Sequence, residues 1–333
     1  MKAISLKAPA SLDNLTLIEA PTPEAPGPGE IRVRLRASSL NFHDFAVVAG
    51  MIPTADGRIP MSDGAGEVTA IGAGVSGFAV GDKVVSTFFP EWLDGRPADS
   101  AFRAVPGDGV DGYAREFVVA KQTSFTPAPK GYTHAEAATL TCAGVTAWRA
   151  LVVEGRLKAG DVVLTQGAGG VSVFALQIAK AMGATVVATS SSDEKLERLK
   201  TLGADMLINH KKEPNWGVKA RALTGGVDHV VEIGGAGTIP ESINACRIGG
   251  HISLIGVLAG PTGPVPTVLI MGKQLRVIGI TVGSRRHQLD FIAAINATGL
   301  KPILDKSFEL AKIAEAFRHQ MTGSHFGKIV LEY

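Results

Sequence analysis

Apolar and polar positions follow two different patterns along this chain. From Glu30 to Arg36, charged and apolar residues alternate strictly, the period of a strand with one buried face and one wet face. The run follows Pro26-Gly27-Pro28-Gly29, a turn cluster. Gly64-Ala65-Gly66-Glu67-Val68 and Gly81-Asp82-Lys83-Val84-Val85 read as two further strand-and-turn units, and helical periodicity is nearly absent up to about residue 125. This texture predicts an antiparallel, barrel-like domain.

Beyond residue 127, strands and helices alternate. The expected strands are Asp161–Thr165, Thr185–Thr189, Met206–Asn209, His229–Ile233, His251–Val257 and Arg276–Thr281. Between the first two, Val171, Phe174, Ile178 and Met182 recur at spacings of 3, 4 and 4 and line one helix face, with Gly183 as the stop. Six short apolar strands separated by helices imply an α/β arrangement, a doubly wound parallel sheet covered on both sides. The tail offers a strand near Ile303–Phe308, a helix from Ala311 to about Met321 and a last strand Lys328–Tyr333, expected to return to the first domain. The expected division is residues 1–126 with 301–333, and 127–300.

Composition narrows the function classes. The 333 residues are 45% hydrophobic and 19% charged, enough for two ordinary cores and against disorder. A net charge of +2, with Arg285-Arg286-His287 as the densest basic cluster, gives no nucleic-acid footprint. Two cysteines, Cys142 and Cys246, exclude a disulfide framework. The start of the chain lacks the apolar core of a signal peptide, and no apolar run reaches the roughly 18 residues of a membrane span. A cytoplasmic protein with neither nucleic-acid nor membrane partner is expected.

The strongest motif is Asp161-Val-Val-Leu-Thr-Gln-Gly167-Ala168-Gly169-Gly170-Val171-Ser172. It leaves a predicted strand and opens the amphipathic helix, the context a dinucleotide-binding turn requires. Its glycines let backbone N–H groups approach a pyrophosphate at the helix N-terminus. The next strand ends in Ser190-Ser191-Ser192, where NAD-binding chains carry an acidic residue for the ribose 2′-hydroxyl. Asp193 and Glu194 suit the start of a helix, and Lys195 suits a 2′-phosphate. NADPH is therefore expected over NADH.

On these residues the chain resembles the medium-chain dehydrogenase/reductase superfamily, and within it the zinc-free quinone oxidoreductase (zeta-crystallin-like) branch. The resemblance rests on Pro28-Gly29-Glu30, on Gly66-Glu67-Val68 through Val75 to Gly81-Asp82-Lys83-Val84, on Cys142-Ala143-Gly144-Val145-Thr146-Ala147, on Gly167–Val171 and on Gly327-Lys328-Ile329-Val330. It implies a GroES-like β-barrel catalytic domain beside a Rossmann cofactor domain. The zinc-dependent members hold their metal with a Cys-His pair, a Gly-His-Glu segment and a second Cys. Here those positions read Asn41-Phe42, Met61-Ser62-Asp63 and Cys142, and no cysteine stands between Val85 and Tyr113 for a structural zinc. The resemblance therefore implies no metal. It places Thr146 near the nicotinamide end, Gly167, Gly169, Gly170 and Val171 along the pyrophosphate, and Ser190, Ser191, Lys195 and His210 around the 2′-phosphate. It also places Gly256, Val257, Ile280, Thr281 and Val282 beside the nicotinamide ring and aims Lys328 at the cofactor phosphates.

Without a Lewis acid to lower an alcohol's pKa, hydride delivery to an electron-poor acceptor asks less of the protein. The expected reaction is NADPH-dependent reduction of a small hydrophobic quinone or α,β-unsaturated carbonyl. Asn41 is the expected carbonyl donor, with His43 and Asp44 for positioning or proton supply. Two alternatives stay open: a zinc-independent NADP-dependent alcohol dehydrogenase or carbonyl reductase, and an NADPH-binding protein with incidental redox activity. The aromatic run Phe88–Gly95 suits either a cleft wall or plain packing, and Tyr113 a structural place. By resemblance a homodimer is expected through Arg276–Thr281, with Val268–Met271 as either interface or buried helix.

Overall fold

The computed structural model describes residues 1–333, which divide into two compact units, Met1–Val145 with Val282–Tyr333, and Thr146–Thr281. In the first unit, β1 (Lys2–Leu6) and β2 (Leu15–Glu19) form an antiparallel pair. The alternating run becomes β3 (Glu30–Ser39), which pairs antiparallel with β4 (Ala65–Ile71); β5 (Lys83–Ser86) pairs with β4. β6 (Phe117–Lys121) pairs with β3, and β7 (Phe125–Pro127) with β5. Ile31, Val33 and Leu35 point inward onto Val68, Val84, Val118 and Phe125, while Arg34 on the opposite face is exposed. The period-2 pattern thus became a half-wet barrel wall. Gly66 has a steric reason: a Cβ there would lie 2.0 Å from the Arg34 carbonyl oxygen of the paired strand.

Short helices α1 (Phe42–Val48) and α2 (His134–Ala138) lie in this unit, and α3 (Val145–Trp148) leads into the second. There β8 (Val162–Gln166), β9 (Thr185–Ser190), β10 (Met206–Asn209), β11 (Val227–Glu232), β12 (Cys246–Leu254) and β13 (Arg276–Gly279) form one parallel sheet of order β10-β9-β8-β11-β12-β13. The order reverses between β8 and β11, the switch point at which open α/β sheets take ligands. Helices α4 (Gly170–Ala181), α5 (Asp193–Thr201), α6 (Trp216–Thr224), α7 (Ile239–Ala245) and α8 (Thr267–Gly272) connect the strands. All six expected strands are present, with ends displaced by at most five residues. The expected helix face buries Phe174 and Ile178 and half-buries Val171 and Met182, and Gly183 takes φ 80° beyond its end.

α9 (Arg285–Thr298), β14 (Leu304–Glu309), α10 (Ile313–Met321) and β15 (Lys328–Glu332) return to the first unit. β15 joins β3 antiparallel, with Val330 opposite Ser39. The division lies at 145/146 and 281/282 rather than at 126/127 and 300/301. Side chains explain the difference. Gln288 on α9 donates to Ser86 O and Thr126 Oγ1 at 2.9 and 2.7 Å, and Tyr132 Oη donates to Leu300 O at 2.6 Å. These contacts tie both α9 and the 127–145 segment to the barrel.

The aromatic run is packing rather than an open wall. Phe88, Phe89 and Trp92 are buried with Val105, Val145 and Val282, while Leu93 and Phe102 remain exposed. Tyr113 is buried on Phe125, in the structural place expected of it. No helix is long and apolar enough to cross a membrane.

Candidate active site and nucleotide turn

At the end of β3 the chain turns at Asn41 into α1, and Asp44 in the helix's first turn reaches back. Its Oδ2 accepts from the Asn41 backbone N–H and from Asn41 Nδ2, both at 3.0 Å, and its Oδ1 accepts from the Ser62 backbone N–H at 2.7 Å. Ser62 is delivered by Met61, a buried non-glycine residue held at φ 80° where the zinc-dependent pattern carries glycine. The left-handed region costs a residue with a Cβ about 1–2 kcal/mol.

Opposite this cap, Lys328 at the start of β15 donates from Nζ to Leu40 O at 2.6 Å and to Asn41 Oδ1 at 2.5 Å, and lies 3.8 Å from Asp63 Oδ2. The ammonium expected near the cofactor phosphates bonds within the barrel unit, with 4% of its side chain exposed. A buried amine needs acceptors, and Asn41 and Asp63 provide them. Asp63 also accepts from Ser39 Oγ at 2.6 Å, yet its Oδ1 has no partner. Burial, helped by the Asp44 charge and opposed by Lys328, pushes Asp63 up to about 7. Burial also acts to raise Asp44, but the imidazole of His43 and the Ser62 N–H outweigh it and hold that carboxylate below the usual range. Interacting buried carboxylates separate in this way, one lowered and one raised. The Cys142 thiol is pushed well up, first by burial and then by Asp63, so it stands protonated at neutral pH.

Asn41 therefore has its oxygen bonded to Lys328 and one amide hydrogen to Asp44. Its contacts to Ser39 O and Ser62 Oγ are long, 3.4 and 3.5 Å, which leaves one weakly held hydrogen. His43 sits beside it with 21% of its side chain exposed. Its Nε2 lies 2.9 Å from Asp108 Oδ2, while Nδ1 is 3.9 Å from Asp44 Oδ1 and has no hydrogen-bond partner. His43 thus meets Asp44 as an ion-pair contact, and its close hydrogen bond goes to Asp108. Burial lowers the imidazole pKa, but the hydrogen bonds and charges of Asp108 and Asp44 prevail and raise it to about 9.

In the second unit, β8 ends at Gln166 and Gly167 turns the chain at φ 71°, its N–H bonded to Thr189 O at 2.7 Å. Gly169 is the N-cap of α4 with no side chain capping it, and Gly167, Gly169, Gly170 and Val171 are half-buried. Ser172 Oγ donates back to Gln166 O at 2.5 Å, which closes helix onto strand as a third glycine would. The result is an open, uncapped helix N-terminus at the sheet's switch point, the backbone geometry that receives a pyrophosphate. Thr146 is buried.

At the end of β9, Ser190 Oγ accepts from Ser192 N at 3.2 Å and Ser192 Oγ caps Lys195 N at 3.3 Å, while Ser191 is exposed. Asp193 begins α5 as expected, and its carboxylate is held by Asn209 Nδ2 and Lys212 Nζ at 2.6 and 2.5 Å. His210 follows β10 with its N–H on Ser190 O at 3.1 Å; burial, then Lys211, lowers its pKa. Gly256, Val257, Ile280 and Thr281 follow the carboxyl ends of β12 and β13, whereas Val282 opens the return to the first unit at φ 46°.

Sequence reading missed two further residues, Asp108 and Glu232. Glu232, fully buried at the end of β11, accepts from Gly234 N, Gly235 N, Thr238 Oγ1 and Gln166 Nε2 at 2.7, 3.0, 2.5 and 2.7 Å, and from Ser242 Oγ. It locks the loop after β11 to the residue preceding the Gly167 turn. A carboxylate closing an apolar strand was the available signal.

A barrel of this kind and a doubly wound parallel sheet with a glycine turn at its switch point, carried on one chain, define a dehydrogenase-type oxidoreductase. Residues 27–130 match the alcohol dehydrogenase GroES-like domain, and residues 170–314 match the zinc-binding dehydrogenase family. A zinc-type alcohol dehydrogenase-like protein of Schizosaccharomyces pombe is 41% identical, over 97% of this chain and 96% of its own. A chloroplastic quinone-oxidoreductase of Triphysaria versicolor is 30% identical over 95% and 93%. The crystal structure of a putative alcohol dehydrogenase from Sinorhizobium meliloti superposes with a TM-score of 0.93 at 44% identity, covering 100% of this chain and 98% of that one. The chain belongs to the medium-chain dehydrogenase/reductase superfamily.

Proposed function

We propose that this protein is a zinc-independent, NADPH-dependent reductase of small hydrophobic quinones or α,β-unsaturated carbonyls. The observation that carries this reading is the Lys328 ammonium bonded to Asn41 Oδ1 and Leu40 O beside Asp63. The three positions that hold zinc in the metal-dependent pattern are here an amide already bound to a cation, a serine and a protonated thiol. Such a set does not fit Zn²⁺, which needs deprotonated or imidazole ligands, and no step is routed through a metal.

The residues do fit a nicotinamide dinucleotide. Gly167, Gly169, Gly170 and Val171 offer the pyrophosphate their backbone N–H groups, and Ser190, Ser191, Lys195 and His210 surround the ribose end. β9 ends at Ser190 with Ser191 beyond it and no carboxylate at its end to accept from a 2′-hydroxyl, which favours the phosphorylated cofactor. Bound NADPH supplies a hydride. Of the chain's own groups, Asn41 offers its remaining N–H to the acceptor's carbonyl oxygen, and the positively charged His43 stabilises the developing oxyanion. A homodimer belongs to the same reading. β13 is an edge strand, and Val268, Leu269 and Met271 on α8 are 64, 40 and 73% exposed, so α8 is not a buried helix.

The His43–Asp108 pair also favours a second reading, a zinc-free alcohol dehydrogenase or carbonyl reductase with His43 as its acid and base. Stopped-flow oxidation of NADPH with 1,4-benzoquinone, a 2-enone and a simple aldehyde separates the two. Turnover of quinone or enone is expected. Turnover of the aldehyde alone would move the assignment to the second reading, and tight NADPH binding with no turnover would leave a binding protein.

A further inference from the structure

We propose that the barrel unit carries a second ligand site, a cavity at Arg115 that takes a small monocarboxylate with an apolar body. The inference is independent of the acceptor reduction proposed above.

The starting point is a cation without a counter-ion. Arg115 is half-buried just before β6. Its Nη2 donates to the Asp111 carbonyl at 3.3 Å, its Nε is buried without a partner, and the guanidinium enters no salt bridge. The Asp111 carboxylate is already engaged: its Oδ1 accepts from Arg58 Nη1 at 3.0 Å and from the Ile59 N–H at 3.2 Å. Burial lowers the pKa of Arg115, and the Asp111 charge opposes this only in part. An arginine nevertheless keeps its charge in a protein. A cation held partly out of water without an anion is costly, and a bound anion relieves that cost.

The surroundings select the anion. Arg115 lines a cavity of about 290 Å³, room for roughly ten non-hydrogen atoms at the ~30 Å³ that one water takes in the liquid. Pro90, Ala104, Pro106, Val110, Val118 and Ala120 supply apolar wall. Among the other lining residues Lys121 and Glu91, both exposed, offset each other in formal charge. A doubly charged anion therefore gains nothing over a singly charged one. The long bond to Asp111 uses one of the two Nη2 hydrogens, so the Nη1 and Nη2 edge still offers a planar fork. That fork matches a carboxylate, and the apolar walls take the carbon skeleton.

NMR titration with benzoate reads the site directly. In protein carrying nitrogen-labelled arginine, the Arg115 Nε–H signal moves with benzoate at a roughly millimolar midpoint, the strength so small a ligand supports. Benzamide, its neutral counterpart, and inorganic phosphate bind about tenfold more weakly or worse. Arg115→Gln weakens benzoate by roughly 10–100-fold, the weight of a hydrogen bond to a charged group. The urea-unfolding midpoint of this variant holds or rises, because a cation without a partner has been removed. Equal binding of benzamide and benzoate overturns the site, as does undiminished benzoate binding by Arg115→Gln. Phosphate bound as tightly as benzoate overturns the carboxylate assignment. An Arg115 signal that benzoate leaves unmoved in the wild type overturns the proposal without recourse to any variant.

Discussion

The nucleotide turn and the barrel cluster solve opposite problems. At Gly167–Val171 the useful groups are backbone N–H groups left uncapped at a helix N-terminus, and the side chains matter mainly by being small. At Asn41–Lys328 the backbone has been closed off by a cap, and side chains take over, with His43 paired to Asp44 and Lys328 to Asn41 and Asp63. A turn of the first kind tolerates change outside its glycines. A cluster of the second kind fails when one charge is removed, because every partner is then left buried and unpaired.

The sharpest test of that contrast is Lys328→Ala. Removing one partner of a buried pair costs about 3–5 kcal/mol, so the midpoint of thermal or urea unfolding should fall by that measure, with Asp63 taking up a proton. NADPH titration of the same variant separates two places for the lysine. A loss of affinity below about tenfold, or 1.4 kcal/mol, agrees with an ammonium committed to Asn41. A far greater loss would restore it to the phosphates.

Next in size is a pH effect. Because the folded pKa of His43 is raised from 6.5 to about 9, its contribution to stability is complete below 6.5 and is lost as pH rises through 9. The size is on the order of 3 kcal/mol. Urea unfolding at pH 6 and pH 10 should show this loss in the wild type and lack it in His43→Asn.

On the turn side, Gly167→Ala places a Cβ at φ 71° and costs about 1–2 kcal/mol, read in the same unfolding assay. A cost above that would mean the turn is crowded as well as strained. The smallest expected effect is Lys195→Ala, which should weaken NADPH by roughly tenfold and leave NADH unchanged. Equal losses for both cofactors would remove Lys195 from the 2′-phosphate.

The same contrast explains what was legible in the sequence. The Gly167 turn, the six strands, the α4 face and the Ser192 cap are local, since each is written in a few consecutive residues with a fixed period or turn chemistry. The cluster is not local. Lys328 meets Asn41 across 287 positions of sequence and His43 meets Asp108 across 65, and no periodicity announces either. Family likeness assigned Lys328 to the cofactor phosphates, and nothing local in the sequence announced its bonds to Leu40 and Asn41. Asp108 went unnoticed in a loop whose importance comes only from the helix it faces. The aromatic run was ambiguous for a related reason: whether Phe88, Phe89 and Trp92 line a cleft or fill a core depends on Val145 and Val282, far along the chain.

The central claim, that a lysine-held side-chain cluster stands where relatives keep a metal, is tested most directly by the zinc content of the purified protein. Mass spectrometry of wild type and Cys142→Ala should find well under one zinc per chain in both. One zinc per wild-type chain, lost in Cys142→Ala, would contradict the account and show that the thiol and its neighbours had rebuilt a metal site around Lys328.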